Sequence, residues 1–448
     1  MPSTAIVWFR RDLRVHDHPP LRAALAAHDQ VVPAFVLDPR LLEGRFASPL
    51  RAAFLHGCLK ELDAALRARG AGLVIREGDP ATALPELATE ANASAVYWAA
   101  DVSPFATRRD AQVAAALEGL DLHETQGNFC ADLGELKPYR VFTPYHRAWL
   151  RAERRQVGRA PRAIPMPKMR KGRLPSRSPG QTGDFEPGEA AARQRLAAWA
   201  RAGAQHYATT HDDLAKASSR LSPYLHFGCV SAREVEERTV HAPEFRRQLA
   251  WRDFYGQLLL HHPEAATKEL QPRYRELEWD EDDELLEAWR EGRTGYPLVD
   301  AGMRQLRDTG WMHNRARLVV GSFLTKDLHL DWRAGERHFM RHLLDGDEAN
   351  NNGNWQWIAS VGADPAPYFR RLLNPTTQQQ RHDPNGEYVR RWLPELRDVP
   401  VEHLAEPWKM TGEEQRAARC VIGRDYPHPI VDHAEERRRA IARYRAVA

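Results

Sequence analysis

The sequence predicts an α/β N-terminal domain, a parallel five-stranded doubly wound sheet, followed by an all-α C-terminal domain. Three observations predict this. Short apolar runs alternate with helix-period segments through residues 1–128. From residue 188 onward apolar residues recur with a helical period, and strand-like alternation largely disappears. Nine of the thirteen Trp lie from Trp251 onward, so the two halves also differ in chemistry.

Residues 4–9 (Thr-Ala-Ile-Val-Trp-Phe) form an uninterrupted apolar run of strand length, and residues 31–37 repeat it despite an early Pro. Leu73-Val74-Ile75 and Ala95-Val96-Tyr97-Trp98 are shorter runs of the same kind. Helical patterns fall between them, near 20–28, 49–69, 80–92 and 104–118. No G-x-G-x-x-G follows the first strand and no Walker A lysine loop occurs, so those nucleotide fingerprints are absent. Arg10-Arg11-Asp12-Leu13-Arg14 follows instead, where the ligand crevice of such a sheet lies. The run reads either as a salt-bridged surface turn or as a ligand contact.

Residues 129–187 lose periodicity and read as an interdomain linker rich in Pro and Arg. Arg151, Arg154, Arg155, Arg159, Arg162, Lys168, Arg170, Lys171, Arg173 and Arg177 face only Glu153 across their span. This is a solvated, partly mobile linker for most of its length, or a basic strip facing DNA. Residues 188–448 form the helical domain, with Gly and Pro at the joints.

With 448 residues, 42% hydrophobic and 28% charged, the chain has ample material for two cores. A net charge of +3 does not by itself point to nucleic acid. Cys58, Cys130, Cys229 and Cys420 are scattered without a C-x-x-C pair, as expected of free thiols in a reducing compartment. No signal-like start or membrane-length apolar run is present, so a cytoplasmic protein without a membrane partner is expected. No Ser-His-Asp set, metal-ligand cluster or pair of catalytic carboxylates has persuasive spacing.

The densest unusual chemistry lies in Asp345-Gly346-Asp347-Glu348-Ala349-Asn350-Asn351-Asn352-Gly353-Asn354-Trp355-Gln356-Trp357. Acids, amides and glycines there stand against two indoles. Thr309-Gly310-Trp311-Met312-His313-Asn314-Arg315-Ala316-Arg317 combines amide, imidazole, guanidinium and indole just upstream. Two such clusters point to a polar ligand held among aromatic walls.

These clusters join further runs in a fixed order: Trp8 to Arg14, Ser219 to Leu225, Trp251 to Tyr255, and Thr294 to Ala301. Together they resemble the DNA photolyase and cryptochrome family along the full length, most like class I cyclobutane pyrimidine dimer photolyases. The resemblance implies an antenna domain, a linker, and a helical domain holding FAD that is active in its reduced form. It implies light-driven electron transfer to a flipped-out pyrimidine dimer, with UV-damaged DNA as partner and a monomeric enzyme. The cofactor would carry the chemistry, which fits the absence of acid–base machinery.

By resemblance, Tyr207, Ser218, Ser219, Arg220, Leu221 and Ser222 would contact the FAD phosphates and ribityl chain. Arg317, paired with Asp345, would lie near the isoalloxazine, and Asp347 would face it. Asn351 would sit beside the reactive ring nitrogen, where plant cryptochromes place Asp. Trp355, Trp332 and Trp279 match an electron relay running from flavin to solvent. Trp251 matches the indole that stacks on the lesion, and Asn314 and Arg315 match DNA-contacting positions. Trp357 lies in a neighbouring motif and joins the expected DNA-side set. Gln248 and Leu318 depart from the pattern, replacing the usual Glu and Met. Gln still donates and accepts hydrogen bonds but carries no charge. The two histidines of the six-four lesion class are absent, since Asn314 and Leu318 occupy those places.

For the antenna, the Asn-Glu pair of folate-binding members is missing from Asp101-Val102-Ser103-Pro104-Phe105-Ala106. An 8-hydroxy-deazaflavin chromophore is therefore expected over methenyltetrahydrofolate, with Arg51 and Asp101 as contacts, or else an empty pocket. The rival to repair is a blue-light photoreceptor of cryptochrome type, or a photolyase of different lesion preference. Asn351 and the short C-terminus favour the repair enzyme; Gln248 and Leu318 keep the rivals open. A dark electron-transfer flavoprotein would need a nicotinamide fingerprint, which is lacking.

Overall fold

The computed structural model describes residues 2–44, 47–175, 184–216, 218–363 and 367–447. Of the basic residues named above, Arg177 lies outside the described set.

Five strands form one parallel sheet: β1 (Thr4–Phe9), β2 (Gln30–Leu37), β3 (Val74–Glu77), β4 (Ala95–Ala99) and β5 (Asp121–Thr125). Their order is β3-β2-β1-β4-β5. Ala5 pairs with Val31 on one side and Ala95 on the other, so β1 is central. Every residue of β1 is buried. Helices cover both faces of such a sheet, which explains its continuous rather than alternating apolar runs. The helices Pro19–Ala27, Pro49–Arg67, Pro80–Ala91 and Pro104–Ala116 connect the strands. Each opens on Pro after a capping residue, His18, Ser48, Asp79 or Ser103, whose side chain accepts a backbone N–H. β5 is the exposed edge. Its Asp-Leu-His-Glu-Thr sequence has no apolar run, which is why hydrophobicity alone does not locate it.

The chain clusters into two compact units. One comprises Met1–Gln205, Ser219–Pro263 and Leu344–Ala349; the other comprises His206–Ser218, Glu264–Leu343 and Asn350–Ala448. These bounds differ from a cut at residues 128 and 187, because the expected linker packs within the first unit.

Parts of the expected linker pack through buried anchors. The helix Phe142–Arg151 buries Phe142, Tyr145 and Trp149. Trp149 Nε1 donates to buried Asp253 at 2.9 Å. Beyond it, Val31 N donates to Pro165 O at 2.8 Å and Ile75 N to Lys171 O at 2.7 Å, tying the segment to β2 and β3. Arg154 pairs with Glu236 at 2.9 Å and Arg155 with Asp17 at 2.5 Å, so neither is an open DNA-facing charge.

All four cysteines are free and buried. The second unit is helical around a core that includes Trp289, Leu298, Phe323, Trp332, Phe339 and Trp355. Among the described residues no helix is long and apolar enough to cross a membrane.

Candidate functional site

The order of strands reverses between β1 and β4, and ligands bind outside the carboxyl ends at such a switch point. An opening lies there, lined by Arg10, Arg11, Asp12, Ala99, Ala100, Asp101, Asn128, Phe129 and Arg252. The Arg10–Arg14 run is not a surface turn. Arg10 Nη1 meets Asp110 at 2.5 Å. Arg14, 2% exposed, donates to Asn128 Oδ1 at 2.8 Å and Gly228 O at 2.9 Å. Arg11 pairs with Asp347 and lies 3.7 Å from Asp101. Burial pushes the Asp101 carboxyl up, but Arg11, Arg10 and Arg109 more than offset it, so it is held below the usual carboxylate range. Asp101 lines this opening. Arg51 does not line it. Burial pushes the Arg51 guanidinium down to about 10, against the pull of Asp345.

In the second unit two helices build the centre. On Trp332–His342 the buried residues Trp332, Gly335, Glu336 and Phe339 fall at helical spacing and form one stripe. On Glu348–Ile358, Asn351, Asn352, Trp355 and Gln356 are buried together. Asn351 Nδ2 donates to both Glu336 O and Glu336 Oε1, each at 3.0 Å. Two acceptors on one side fix the amide orientation and leave Oδ1 turned away from them. The other amides clamp a neighbouring segment. Asn352 donates to Ala266 O at 3.2 Å, and Gln356 donates to Ala265 O at 2.7 Å and Lys268 O at 3.0 Å. Gln356 Oε1 accepts from Leu270 N at 2.9 Å. The amide-rich sequence is thus a helix whose polar groups satisfy a loop rather than solvent.

Of the expected relay, Trp355 and Trp332 are buried at 3% and 0% exposure, and Trp279 packs half-buried against the same core. Gly335 lets the Trp332–His342 helix meet the Trp355 ring, since a Cβ there would lie 2.2 Å from Cη2. Trp289 stands edge-on to Trp355 with centroids 6.1 Å apart.

The other expected cofactor residues divide between the units. Tyr207, Ser218, Arg317 and Asn351 belong to one; Ser219, Arg220, Leu221, Ser222, Asp345 and Asp347 belong to the other. Arg220 holds a left-handed φ of 49° that shapes its loop. Arg317 Nε donates to Met312 O at 2.9 Å.

Of the residues expected to face DNA, Gln248 is exposed and Trp251 half-buried, one turn apart on the helix Pro243–His261. Phe142 stacks on Trp251 at 3.6 Å with 4° between the planes, bracing one face of the indole. Asn314 is exposed at the start of its helix, and Leu318 is half-buried against the core. Arg315 is held by Asp212 at 2.6 Å, which partly spends its charge. Trp357 carries the Arg371 guanidinium 4.1 Å from its ring centroid. Phe142 and Glu336 were missed by sequence reasoning. Their partners are distant in the chain, and no local pattern marks them.

Comparison with known proteins decides the family. Residues 5–168 match the family model described as DNA photolyase, and residues 245–446 match the FAD binding domain of DNA photolyase. The chain belongs to the DNA photolyase family. It is 44% identical to the deoxyribodipyrimidine photo-lyase of Streptomyces griseus, over 98% of both chains. It is similar to a bacterial class III photolyase from Agrobacterium tumefaciens, with TM-score 0.94 and 34% identity over 100% of this chain and 98% of the other. A cryptochrome of Synechocystis is similar at TM-score 0.91 and 31% identity, over 100% and 99%. The residues of this photolyase-family chain suit FAD. Ser218 Oγ is buried without a hydrogen-bond partner, which a phosphate oxygen would satisfy. Among the described residues no cluster could hold a metal ion.

Proposed function

We propose that the protein is a deoxyribodipyrimidine photo-lyase that repairs cyclobutane pyrimidine dimers in DNA with light. The observation that carries this is the near full-length match, at 44% identity, to an enzyme of that name. Reduced FAD, when bound and excited by light, supplies the electron that opens the dimer and takes it back afterwards. Ser218 to Ser222 and Tyr207 hold the phosphates and ribityl chain, and Arg317, Asp345 and Asp347 set the charge around the ring. Asn351 presents a neutral Oδ1 acceptor, fixed by Glu336, and so favours a protonated nitrogen without adding charge.

Trp251, braced by Phe142, stacks on the extruded lesion, and Gln248 reads its edge. Asn314, Arg315, Leu318 and Trp357 line the DNA side. Trp355, Trp332 and Trp279 return an oxidised flavin to its reduced state. The opening beyond β1 and β4 takes an antenna chromophore, and the missing Asn-Glu pair at residues 101–106 favours a deazaflavin over a folate. Exposed, uncharged Gln248 and the similarity to a cryptochrome favour a second reading, a blue-light photoreceptor.

The test is repair of a dimer-containing oligonucleotide by reduced protein under blue light. Loss of dimers in light and none in the dark supports the enzyme. No loss in light, with flavin bound, supports the photoreceptor.

A further inference from the structure

Trp332 is fully buried, and its Nε1–H donates to Glu269 Oε1 at 3.2 Å. Glu269 is itself only 4% exposed. A buried carboxylate loses solvation, and Arg333 offsets that loss by donating from Nη2 to Oε2 at 2.7 Å. The same guanidinium reaches Asp331 at 3.2 Å and lies 4.7 Å from the Trp332 ring centroid. Two carboxylates flank the Arg333 cation, and Arg275 Nε also reaches the Glu269 backbone oxygen at 3.2 Å, but Glu269 is the anion in direct contact with the indole nitrogen. Packing alone does not require it. Trp289, equally buried, satisfies its Nε1–H with the neutral Val320 carbonyl at 3.0 Å. Glu269 is also held in place, because the Asn352 and Gln356 amides clamp residues 265, 266, 268 and 270 around it.

We propose that Glu269 is a positioning residue for electron flow, stabilising the positive charge that appears on Trp332 when it gives up an electron. This rests on reading Trp355, Trp332 and Trp279 as a relay. The step balances in single electrons. An electron leaving Trp355 for light-excited oxidised flavin leaves a cation radical on Trp355. One electron then passes from Trp332 to Trp355, restoring Trp355 and moving the cation radical to Trp332. The proton stays on Nε1, hydrogen-bonded to Glu269. A fixed anion in a poorly screened interior attracts that charge far more than it would in water. The hole is therefore drawn away from the flavin and its return is slowed.

The experiment follows the yield of long-lived tryptophan radical by transient absorption, together with the initial rate of flavin photoreduction, both per bound flavin. Glu269→Gln keeps an acceptor but removes the charge, and lowers both roughly tenfold or more. Glu269→Asp, which keeps the charge, recovers most of the loss, an outcome a purely structural role would not give. If Glu269→Gln fails to fold as holoprotein, Glu269→Asp carries the test: it keeps the anion beside the indole, so the radical yield stays near that of the wild type, and a tenfold loss in folded Glu269→Asp overturns the proposal. Trp332→Phe separates the two readings. A wild-type yield in Glu269→Gln alongside slow photoreduction in Trp332→Phe overturns the role of Glu269 alone. A wild-type rate in Trp332→Phe removes the relay, and the role of Glu269 with it.

Discussion

Asn351 shows how one amide is oriented by its surroundings. Both acceptors of its Nδ2–H belong to Glu336, so Asp in its place would set a carboxylate against another carboxylate and a carbonyl. Asn351→Asp is therefore expected to speed dark reoxidation of bound reduced flavin about tenfold, equivalent to about 1.4 kcal/mol. Stopped-flow absorbance in air checks this, and an unchanged rate would remove Asn351 from the flavin site. Trp251 makes a second residue-scale prediction. Base–aromatic stacking contributes about 1–3 kcal/mol, so Trp251→Ala should lose that much affinity for dimer-containing DNA and little for undamaged DNA. Equal losses would show that Trp251 is no lesion platform. Asn351 and Trp251 could be named from sequence because each sits in a distinctive local run. Glu336 and Phe142, which fix them, could not, since a lone Glu or Phe in a helical pattern reads as surface charge or core.

The two helices Trp332–His342 and Glu348–Ile358 depend on a close approach at Gly335. Ala there would gain about 1 kcal/mol of helix propensity. Its Cβ would also lie 2.2 and 2.5 Å from the Trp355 ring and 2.6 Å from Leu324. Both neighbours are buried, so overpacking at about 1–3 kcal/mol outweighs the propensity gain. Gly335→Ala should lower the melting temperature and perturb photoreduction together; a higher melting temperature would contradict the packing. At this scale the sequence was readable where elements are apolar and periodic, as in β1 to β4. It was not where an element is polar. β5 has no apolar run, and the segment from residue 129 to 175 packs through scattered anchors such as Tyr145, Trp149 and Ile164.

Across the molecule, buried ionisable groups set opposing responses to pH. Burial, with help from His342, pushes the His338 imidazole down to about 3. Below its ordinary value the unfolded chain binds a proton that the folded chain refuses. Stability from this group is therefore lost as pH falls from about 6.5 toward 3. Asp253 and Asp327, both pushed up to about 6 by burial, act the other way: their contribution is present at low pH and lost as pH rises through 6. His338→Phe should reduce the drop in melting temperature between pH 7 and pH 5 by a few degrees. An unchanged drop would contradict a neutral, half-buried His338. The two-part architecture was legible because the hydrophobic period changes along the chain. The boundaries of the compact units were not, because packing between distant segments sets them.

The central claim is that a flavin bound by this chain absorbs the light that repairs DNA. The most direct measurement is the wavelength dependence of dimer repair, taken on protein stripped of flavin and again after FAD is restored and reduced. The account predicts no repair without flavin, recovery with FAD, and a wavelength profile that follows the bound reduced flavin together with any antenna pigment present. Repair that persists in the stripped protein, or a profile unrelated to these chromophores, would contradict it.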